Sequence, residues 1–187
     1  MRVIVISGSP RKNANTEIMM RYVYEYAKTK NDGGATTFVN LSEGQIECFH
    51  GFDTSYNEAT MSAAKAITEA DVWLVGTPIY NSFFSSALKN LFEYVDYKKT
   101  PGKVAGMAIL AAGNIGFTDV QTLLTQLLSY FRVIANPKAV FMTTHDVADG
   151  GIGNTDAQAR LREMVEDTLD MAARLIRNGD GGNGNSQ

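Results

Sequence analysis

The sequence has little cysteine and little histidine. Cys48 is the single thiol among 187 residues, which excludes an intramolecular disulfide, a four-cysteine zinc site and an iron–sulfur cluster held by one subunit. His50 and His145 are far apart in sequence and have no second ligand at metal-site spacing, so we predict surface or hydrogen-bonding roles for them and no metal site. For Cys48 we expect a buried, unreactive thiol.

An excess of positive charge is also missing. Seventeen Lys and Arg residues stand against twenty Asp and Glu residues, giving a net charge of −3, whereas nucleic-acid binding favours a basic surface. The longest apolar segment, residues 104–112, is about half the roughly 20 residues that a membrane span needs. We therefore expect a soluble, cytoplasmic protein that binds neither nucleic acid nor membranes.

What the sequence does contain is an alternation of two apolar patterns. Continuous β-branched runs are typical of strands covered on both faces of a parallel sheet. They occupy Val3–Ile6, Thr36–Val39, Val72–Val75, Val104–Ala111 and Ala139–Met142. Helical apolar stripes lie between and after them, at residues 18–26, 57–69, 84–95, 117–131 and 161–176. Five alternations predict a doubly wound α/β sheet over residues 1–177, followed by a Gly- and Asn-rich disordered tail at 178–187.

The loop after the first strand has the composition of a phosphate site. Residues 7–17 (SGSPRKNANTE) leave a buried strand and enter a helix, whose N-terminus favours anions. Arg11 can bind phosphate oxygens in a bidentate manner, and Asn15 or Thr16 would both cap the helix and bind the phosphate. Ser, Asn and Pro are equally typical of ordinary turns. The loop matches neither the Walker motif nor the GxGxxG fingerprint.

The loops after the third and fourth strands suit a flat ligand. Gly76–Ser82 presents apolar and aromatic groups at a strand end, although Tyr80 could instead pack on a neighbouring loop or subunit. We expect Asn81 and Ser82 to cap a helix that begins near Phe83. The sequence of Ala111–Gly116 (AAGNIG) is small enough for close backbone approach, with Asn114 as a cap, or is a simple positive-φ turn. Because all three loops lie at one sheet edge, they fit a mononucleotide with a large flat ring.

These residues resemble the NAD(P)H-dependent FMN reductase family of flavodoxin-like flavoproteins. Residues 7–16 (SGSPRKNANT) are similar to its phosphate loop, and residues 77–82 (TPIYNS), followed by residues 88–90 (LKN) and Asp96, are similar to its second signature. The resemblance covers about residues 1–177. It implies a three-layer α/β/α fold with a five-stranded parallel sheet in the order 2-1-3-4-5, bound FMN, NADPH or NADH as co-substrate, and a homodimer or homotetramer.

The resemblance also implies which residues bind FMN. The phosphate would be held by Ser9, Arg11, Asn15 and Thr16. The ring would be contacted by Pro78, Ile79, Tyr80 and Asn81, and also by Gly113 and Asn114. Two electrons would pass from the reduced nicotinamide through FMN to a small acceptor such as a flavin or quinone, which requires no side-chain acid or base.

Two other functional classes remain open on the sequence alone. A flavodoxin-type electron carrier or a flavin-binding redox sensor would share the fold without its own NAD(P)H turnover.

The roles of several residues also remain open. Phe83, Phe84 and Phe117 are candidate walls of the stacking site, although the helical stripes favour core positions for Phe84 and Phe117. Asp149–Asn154 could form a lid, with a solvated loop as the favoured alternative. Iron–sulfur flavoproteins have a similar phosphate loop and a compact cysteine motif after the second strand, where this chain has only Cys48, which points away from cluster-mediated electron transfer.

Overall fold

A computed structural model describes residues 1–180 of the chain, in which strands and helices alternate. The strands are β1 (Arg2–Ser7), β2 (Ala35–Asn40), β3 (Val72–Pro78), β4 (Val104–Ala111), β5 (Ile134–Ala135), β6 (Val140–Thr143), β7 (Val147–Ala148) and β8 (Gly151–Ile152). The helices are α1 (Asn15–Lys30), α2 (Glu58–Glu69), α3 (Ser86–Glu93), α4 (Phe117–Tyr130) and α5 (Thr155–Asp180). Within residues 1–180, no helix is both long and apolar enough to cross a membrane.

The main sheet is parallel, and its order β2-β1-β3-β4-β5 confirms the prediction. Its fifth position is interrupted, because β5 and β6 both pair with β4. The sequence pattern predicts β6 alone. Between the two segments the Asn136 amide donates to the Ala105 carbonyl at 2.7 Å, and Pro137 has no amide with which to continue the ladder.

Helices cover both faces of this sheet, which completes the predicted three-layer α/β/α fold. One core lies beneath α1 and α5, with Met19, Met20 and Leu161 fully buried. The other lies beneath α2, α3 and α4 and is centred on Trp73, whose indole N–H donates to the Ile67 carbonyl at 2.9 Å. Burial on both faces explains why the sequences of β1, β3 and β4 are almost continuously apolar.

The last helix extends beyond residue 177, where the sequence predicts that the domain ends and a tail begins. Helix α5 runs to Asp180, and thus includes the first three residues of the predicted segment 178–187. The rest of that segment lies outside the described residues. The division at residue 177 therefore stays a prediction.

Two local predictions around the third strand are wrong. Strand β3 continues through Gly76 and Thr77 to Pro78, so these residues belong to the ladder with β4. Helix α3 begins at Ser86 instead of near Phe83, because residues 80–83 first form a tight turn. Its cap is Ser85, whose hydroxyl accepts from the Leu88 amide at 3.0 Å.

The proposed cap residues Asn81 and Ser82 instead form the middle of that turn. Their φ angles are 49° and 63°, as a type I′ turn requires. Tyr80 and Phe83 exchange both backbone hydrogen bonds across it, at 2.8 and 3.0 Å. The turn projects the two polar residues into solvent and leaves Tyr80 and Phe83 side by side.

The segment Asp149–Asn154 is largely an ordered hairpin. Strands β7 and β8 pair antiparallel, and Asp149 and Gly150 form the turn with φ angles of 49° and 72°. Asp146 fixes the base of the hairpin, because its carbonyl accepts from the Gly153 amide at 2.8 Å. No lid role follows from this geometry.

Candidate functional site

The loop after β1 is fixed at its start by contacts with the next strand and with α3. The Gly8 amide donates to the Gly76 carbonyl at 2.8 Å, and the Ser85 hydroxyl donates to the Gly8 carbonyl. A Cβ on Gly8 would lie 2.6 Å from the Gly76 oxygen, so only glycine permits this approach. The chain is thereby directed across the carboxyl edge of the sheet toward α1.

Beyond Gly8, the loop and the start of α1 line a cavity of about 250 Å³. All four predicted phosphate ligands line it. So do three of the residues predicted to contact the ring, namely Pro78, Ile79 and Tyr80. The lining comprises Ser9, Arg11, Asn13, Ala14, Asn15, Thr16, Pro78, Ile79, Tyr80, Leu110, Ala112 and Thr144.

The N-terminus of α1 opens onto this cavity without a side-chain cap. Its N-cap is Ala14, so the prediction that Asn15 or Thr16 caps the helix is wrong. Those two residues occupy the first turn, where backbone N–H groups have no intrahelical acceptor. By contrast, the side-chain amide oxygen of Asn57 caps α2, and the hydroxyl oxygen of Ser85 caps α3. Uncapped amides and the helix dipole favour an anion at α1.

The charges around the cavity are compatible with such an anion. Arg11 is an exposed cation at its rim. The carboxylate of Glu17, in the first turn of α1, is bound by Arg21 at 2.7 Å and by the Ser42 hydroxyl at 3.2 Å. Burial raises the pKa of Glu17, but the hydrogen bonds from Arg21, Asn40 and Ser42 outweigh burial and hold the pKa below its ordinary value. The negative charge of Glu17 is therefore balanced by the positive charge of Arg21.

The apolar side of the cavity comes from the end of β3. Pro78 is buried, Ile79 is partly buried, and the Ile79 amide donates to the Leu110 carbonyl at 3.0 Å. The hydroxyls of Tyr80 and Ser9 lie 3.2 Å apart. The structure therefore brings the four predicted phosphate residues together with three of the predicted ring residues at one edge of the sheet.

The loop after β4 contributes less than predicted. Ala112 lines the cavity, whereas Gly113 and Asn114 are exposed beside it. Asn114 does not cap α4, whose N-cap is Gly116 with a φ of 85°. An added Cβ on Gly113 would meet nothing within 4 Å, so this part of the loop leaves open space over the strand ends.

Sequence reasoning missed the contribution of the fifth strand position. Thr144, directly after β6, lines the cavity opposite the loop after β1. Its position is stabilised by Asp146, whose carboxylate accepts from the Thr143 amide at 2.7 Å and from Asn154 at 2.6 Å. The signal was available, because a polar Thr-Thr pair follows a predicted parallel strand at the same edge.

A second cleft, of about 640 Å³, adjoins the first and shares Tyr80 with it. Four of its nine lining residues are aromatic, and Lys89 and Glu93 form an ion pair on α3. The lining comprises Phe49, Tyr80, Asn81, Phe83, Phe84, Ser86, Lys89, Asn90 and Glu93. Asn81 thus faces this cleft and not the smaller cavity.

The remaining candidates lie as follows. Phe84 is a core residue that also reaches the cleft, and Phe117 packs against the core, stacked on Phe141 at 4.9 Å. His50 and His145 are exposed, as predicted for surface residues. Cys48 is exposed as well, so the prediction of a buried thiol is wrong. The long loop that carries it runs over the surface.

Taken together, the fold and the site define a flavodoxin-like nucleotide-binding protein. A cavity of about 250 Å³ with a polar and an apolar side lies at the N-terminus of α1, and a cleft with aromatic residues in its walls adjoins it at the sheet edge. The chain belongs to the NADPH-dependent FMN reductase family, whose model matches residues 1–148. This confirms the predicted class, an oxidoreductase that uses FMN with NAD(P)H.

Individual relatives agree with this assignment. The chain is 32% identical over 154 residues to the FMN reductase (NADPH) of Escherichia coli K12, covering 80% of this chain and 76% of that protein. It is 25% identical over 173 residues to the NAD(P)H-dependent FAD/FMN reductase of Geobacillus thermodenitrificans, covering 91% and 93%. The fold is similar to that of the flavoenzyme FerB from Paracoccus denitrificans, with a TM-score of 0.73, 22% identity and coverage of 92% and 97%.

Proposed function

We propose that the 250 Å³ cavity holds the FMN phosphate and that the adjoining end of β3 holds the flavin ring. The observation that carries this is the uncapped N-terminus of α1 facing a cavity rimmed by Arg11. Ser9, Asn15 and Thr16 supply further donors to the phosphate. Pro78, Ile79 and Tyr80 supply apolar and aromatic contact to the ring, and Asn81, Gly113 and Asn114 lie around its outer side.

The donor set fits the group. Hydroxyl, amide and guanidinium groups meet at one end of the cavity, and a carboxylate that would oppose a phosphate is neutralised by Arg21. The other end is lined by Pro78, Ile79 and Leu110, which exclude water from an aromatic face. A phosphate and an apolar ring joined by a short chain match this polarity.

The chemistry follows from binding and orientation. FMN held by Ser9, Arg11, Asn15 and Thr16 would supply hydride acceptance from NAD(P)H and two-electron transfer to the acceptor. The net reaction takes that hydride and one proton from water and converts a quinone into its hydroquinone. The chain has to hold the ring with one face accessible and to exclude other acceptors. We assign no side-chain acid or base to the reaction.

The electron acceptor that we propose is a small planar aromatic molecule, such as a quinone, a free flavin or an azo compound. The aromatic cleft next to Tyr80 has the size and the lining for such a molecule, since flat rings stack favourably on aromatic side chains. Relatives of this chain include an FMN-dependent NADPH-azoreductase of Staphylococcus aureus, 28% identical over 175 residues. Because NAD(P)H is a cytoplasmic reductant, we propose that the protein works in the cytoplasm.

We further propose that two copies of the chain associate as a homodimer, which could pair into a tetramer. A hydrophobic groove of about 420 Å³ between α3 and α4 carries large exposed aromatic residues. Phe52 is 84% exposed, Tyr130 65% and Tyr97 42%. Apolar surface of this kind is typical of subunit contacts. Light scattering of the wild type and of the Tyr130→Glu variant tests this proposal, because a dimer through this face is expected to dissociate in the variant.

Anaerobic spectroscopy tests the activity. The purified protein is loaded with FMN, and NADPH or NADH is added without oxygen. We expect the visible flavin absorbance to bleach and then to return when a quinone is added. Bleaching by dithionite but not by either nicotinamide would indicate an electron carrier and would contradict the proposal. A protein that gains no thermal stability from FMN would contradict both interpretations.

A further inference from the structure

The connection between β2 and α2 is long and lacks regular structure over residues 44–57. Irregular loops of this length in compact domains are usually functional. This loop carries Phe49, which forms one wall of the aromatic cleft that continues from Tyr80. The wall is therefore supplied by a segment that the sheet itself does not hold in place.

Asn90 of α3 holds this loop through both atoms of its side-chain amide. Its Nδ2 donates to the Glu47 carbonyl at 2.7 Å, and its Oδ1 accepts from the Phe49 amide at 2.9 Å. This pair of bonds imitates the pairing of a neighbouring strand. Asn90 is the third residue of the Leu-Lys-Asn sequence, to which the phosphate and ring contacts assign no role.

Aromatic side chains packed against Phe49 also stabilise the position of the loop. The Tyr94 hydroxyl donates to the Glu47 carbonyl at 2.8 Å, and the Tyr94 ring meets those of Phe49 and Tyr56 edge-on at 5.2 and 4.8 Å. Tyr56 closes the loop, since its hydroxyl donates to the Gly51 carbonyl at 2.7 Å. Packing therefore supports the ring of Phe49, and Asn90 sets its backbone position.

We propose that Asn90 is a positioning residue that holds Phe49 as the outer wall of the cleft in which a two-ring planar electron acceptor binds. The proposal rests on the proposed function. A naphthoquinone-sized molecule would lie between Phe49 and the Tyr80–Phe83 turn, next to the flavin site. Small acceptors do not reach the outer wall, so Asn90 and Phe49 determine selectivity by acceptor size.

The variants that test this are Asn90→Ala, Phe49→Ala and the double variant, each studied as the FMN-loaded protein. Menadione is the two-ring acceptor, and 1,4-benzoquinone is the one-ring acceptor. We expect the ratio of kcat/KM for menadione to kcat/KM for 1,4-benzoquinone to fall by about tenfold in each single variant. The double variant should lose little more than the single ones, because both changes remove the same wall.

Two further measurements do not depend on turnover. Menadione binding to the oxidised holoenzyme, followed by the change in flavin absorbance, should weaken by a similar factor in Asn90→Ala. Hydrogen exchange at residues 44–57 should accelerate in Asn90→Ala but much less in Phe49→Ala, which keeps the amide clamp. Phe49→Ala therefore tests the wall even where Asn90→Ala does not fold.

Asn136→Ala is the matched control. The side chain of Asn136 also bonds twice, to the Thr168 hydroxyl at 3.0 Å and from the Lys138 amide at 2.9 Å, but at the opposite end of β4. It should lower thermal stability without changing the acceptor ratio. Unchanged ratios in both Asn90→Ala and Phe49→Ala, or a loss confined to NADPH affinity, would overturn the inference. A wild type that does not oxidise NADPH would instead contradict the proposed function.

Discussion

The hydroxyls of Ser9 and Tyr80 lie 3.2 Å apart, so the loop after β1 is bonded directly to the turn after β3. Sequence reasoning treats these residues as contacts to opposite ends of one ligand, the phosphate and the ring. A serine hydroxyl can accept one hydrogen bond while it donates another. Ser9 can therefore accept from Tyr80 and still donate to a phosphate, which couples the two halves of the site.

Removal of the Tyr80 hydroxyl should weaken this coupling. We expect Tyr80→Phe to raise the Kd for FMN by about threefold to tenfold, the equivalent of a neutral hydrogen bond of about 0.5–1.5 kcal/mol. Fluorescence titration with FMN measures the effect. Tyr24→Phe, on the part of α1 that packs on Phe38, serves as the control and should leave the Kd unchanged. Equal affinities in wild type and Tyr80→Phe would show that the bond has no role in binding.

A change to alanine should destabilise the protein at Gly8 but not at Gly113. Gly8→Ala places a Cβ 2.6 Å from the Gly76 carbonyl oxygen, a backbone atom that cannot rotate away. We expect a loss of about 1–3 kcal/mol in the free energy of unfolding, together with weaker FMN binding. Gly113→Ala meets nothing within 4 Å and should keep wild-type stability. Urea unfolding of both apoproteins checks this, and equal stabilities would contradict the close approach at Gly8.

Asp146 should stabilise the protein in a pH-dependent way. Burial raises its pKa, but hydrogen bonds from Thr143 and Asn154 and the charge of Arg160 outweigh burial and hold the pKa below its ordinary value. A carboxyl group with a lowered pKa in the folded state contributes stability above its unfolded pKa and loses it as the pH falls through the folded value.

The corresponding variant is Asp146→Asn, whose amide would face the donating Thr143 N–H. We expect it to be less stable than wild type by about 1–3 kcal/mol at pH 7. The difference should begin to shrink below about pH 4, where the carboxyl group of the unfolded chain becomes protonated, and should go on shrinking until the folded carboxylate is protonated as well. Urea unfolding at several pH values measures it. A difference that stays constant down to pH 3 would show that the charge of Asp146 is not what stabilises the hairpin.

The sheet could be predicted because a continuous run of apolar residues indicates a strand that is buried on both faces. Val3–Ile6 and Val104–Ala111 are continuously apolar, and both are buried on two faces. Strand β5 could not be found in this way, since a pair of residues carries no periodicity. Its place depends instead on the Asn136 amide reaching the carbonyl of Ala105 on β4.

The first residues of the helices could not be predicted reliably either, because they depend on contacts that are distant in sequence. Several Ser and Asn residues near each expected start are suitable caps, and local sequence does not choose among them. Ser85 caps α3 because its hydroxyl also reaches the carbonyl of Gly8, 77 residues earlier in the chain. At α1 the cap is Ala14, a residue that capping preferences disfavour. That exception leaves backbone amides free at the cavity, where the proposed ligand needs them.

Arg11 and Lys12 provide the sharpest test of the phosphate site, because they are adjacent cations in different surroundings. Arg11 lines the 250 Å³ cavity, whereas Lys12 lines a separate shallow depression beside Glu17 and Arg21. Each change to alanine removes one positive charge from the same loop, so both variants lose some screened long-range attraction to an anion. Only the Arg11 variant also loses direct contact with the ligand.

We expect Arg11→Ala to raise the Kd for FMN by about 10- to 100-fold, since charged hydrogen bonds contribute about 1.5–3 kcal/mol. Lys12→Ala should raise it by no more than about threefold, through screened attraction alone. The preference between NADPH and NADH should change little in Arg11→Ala once the protein is saturated with FMN. Equal losses of FMN affinity in the two variants would assign the effect to net charge and remove Arg11 from the phosphate site. A lost NADPH preference with unchanged FMN affinity would move Arg11 to the nicotinamide site instead.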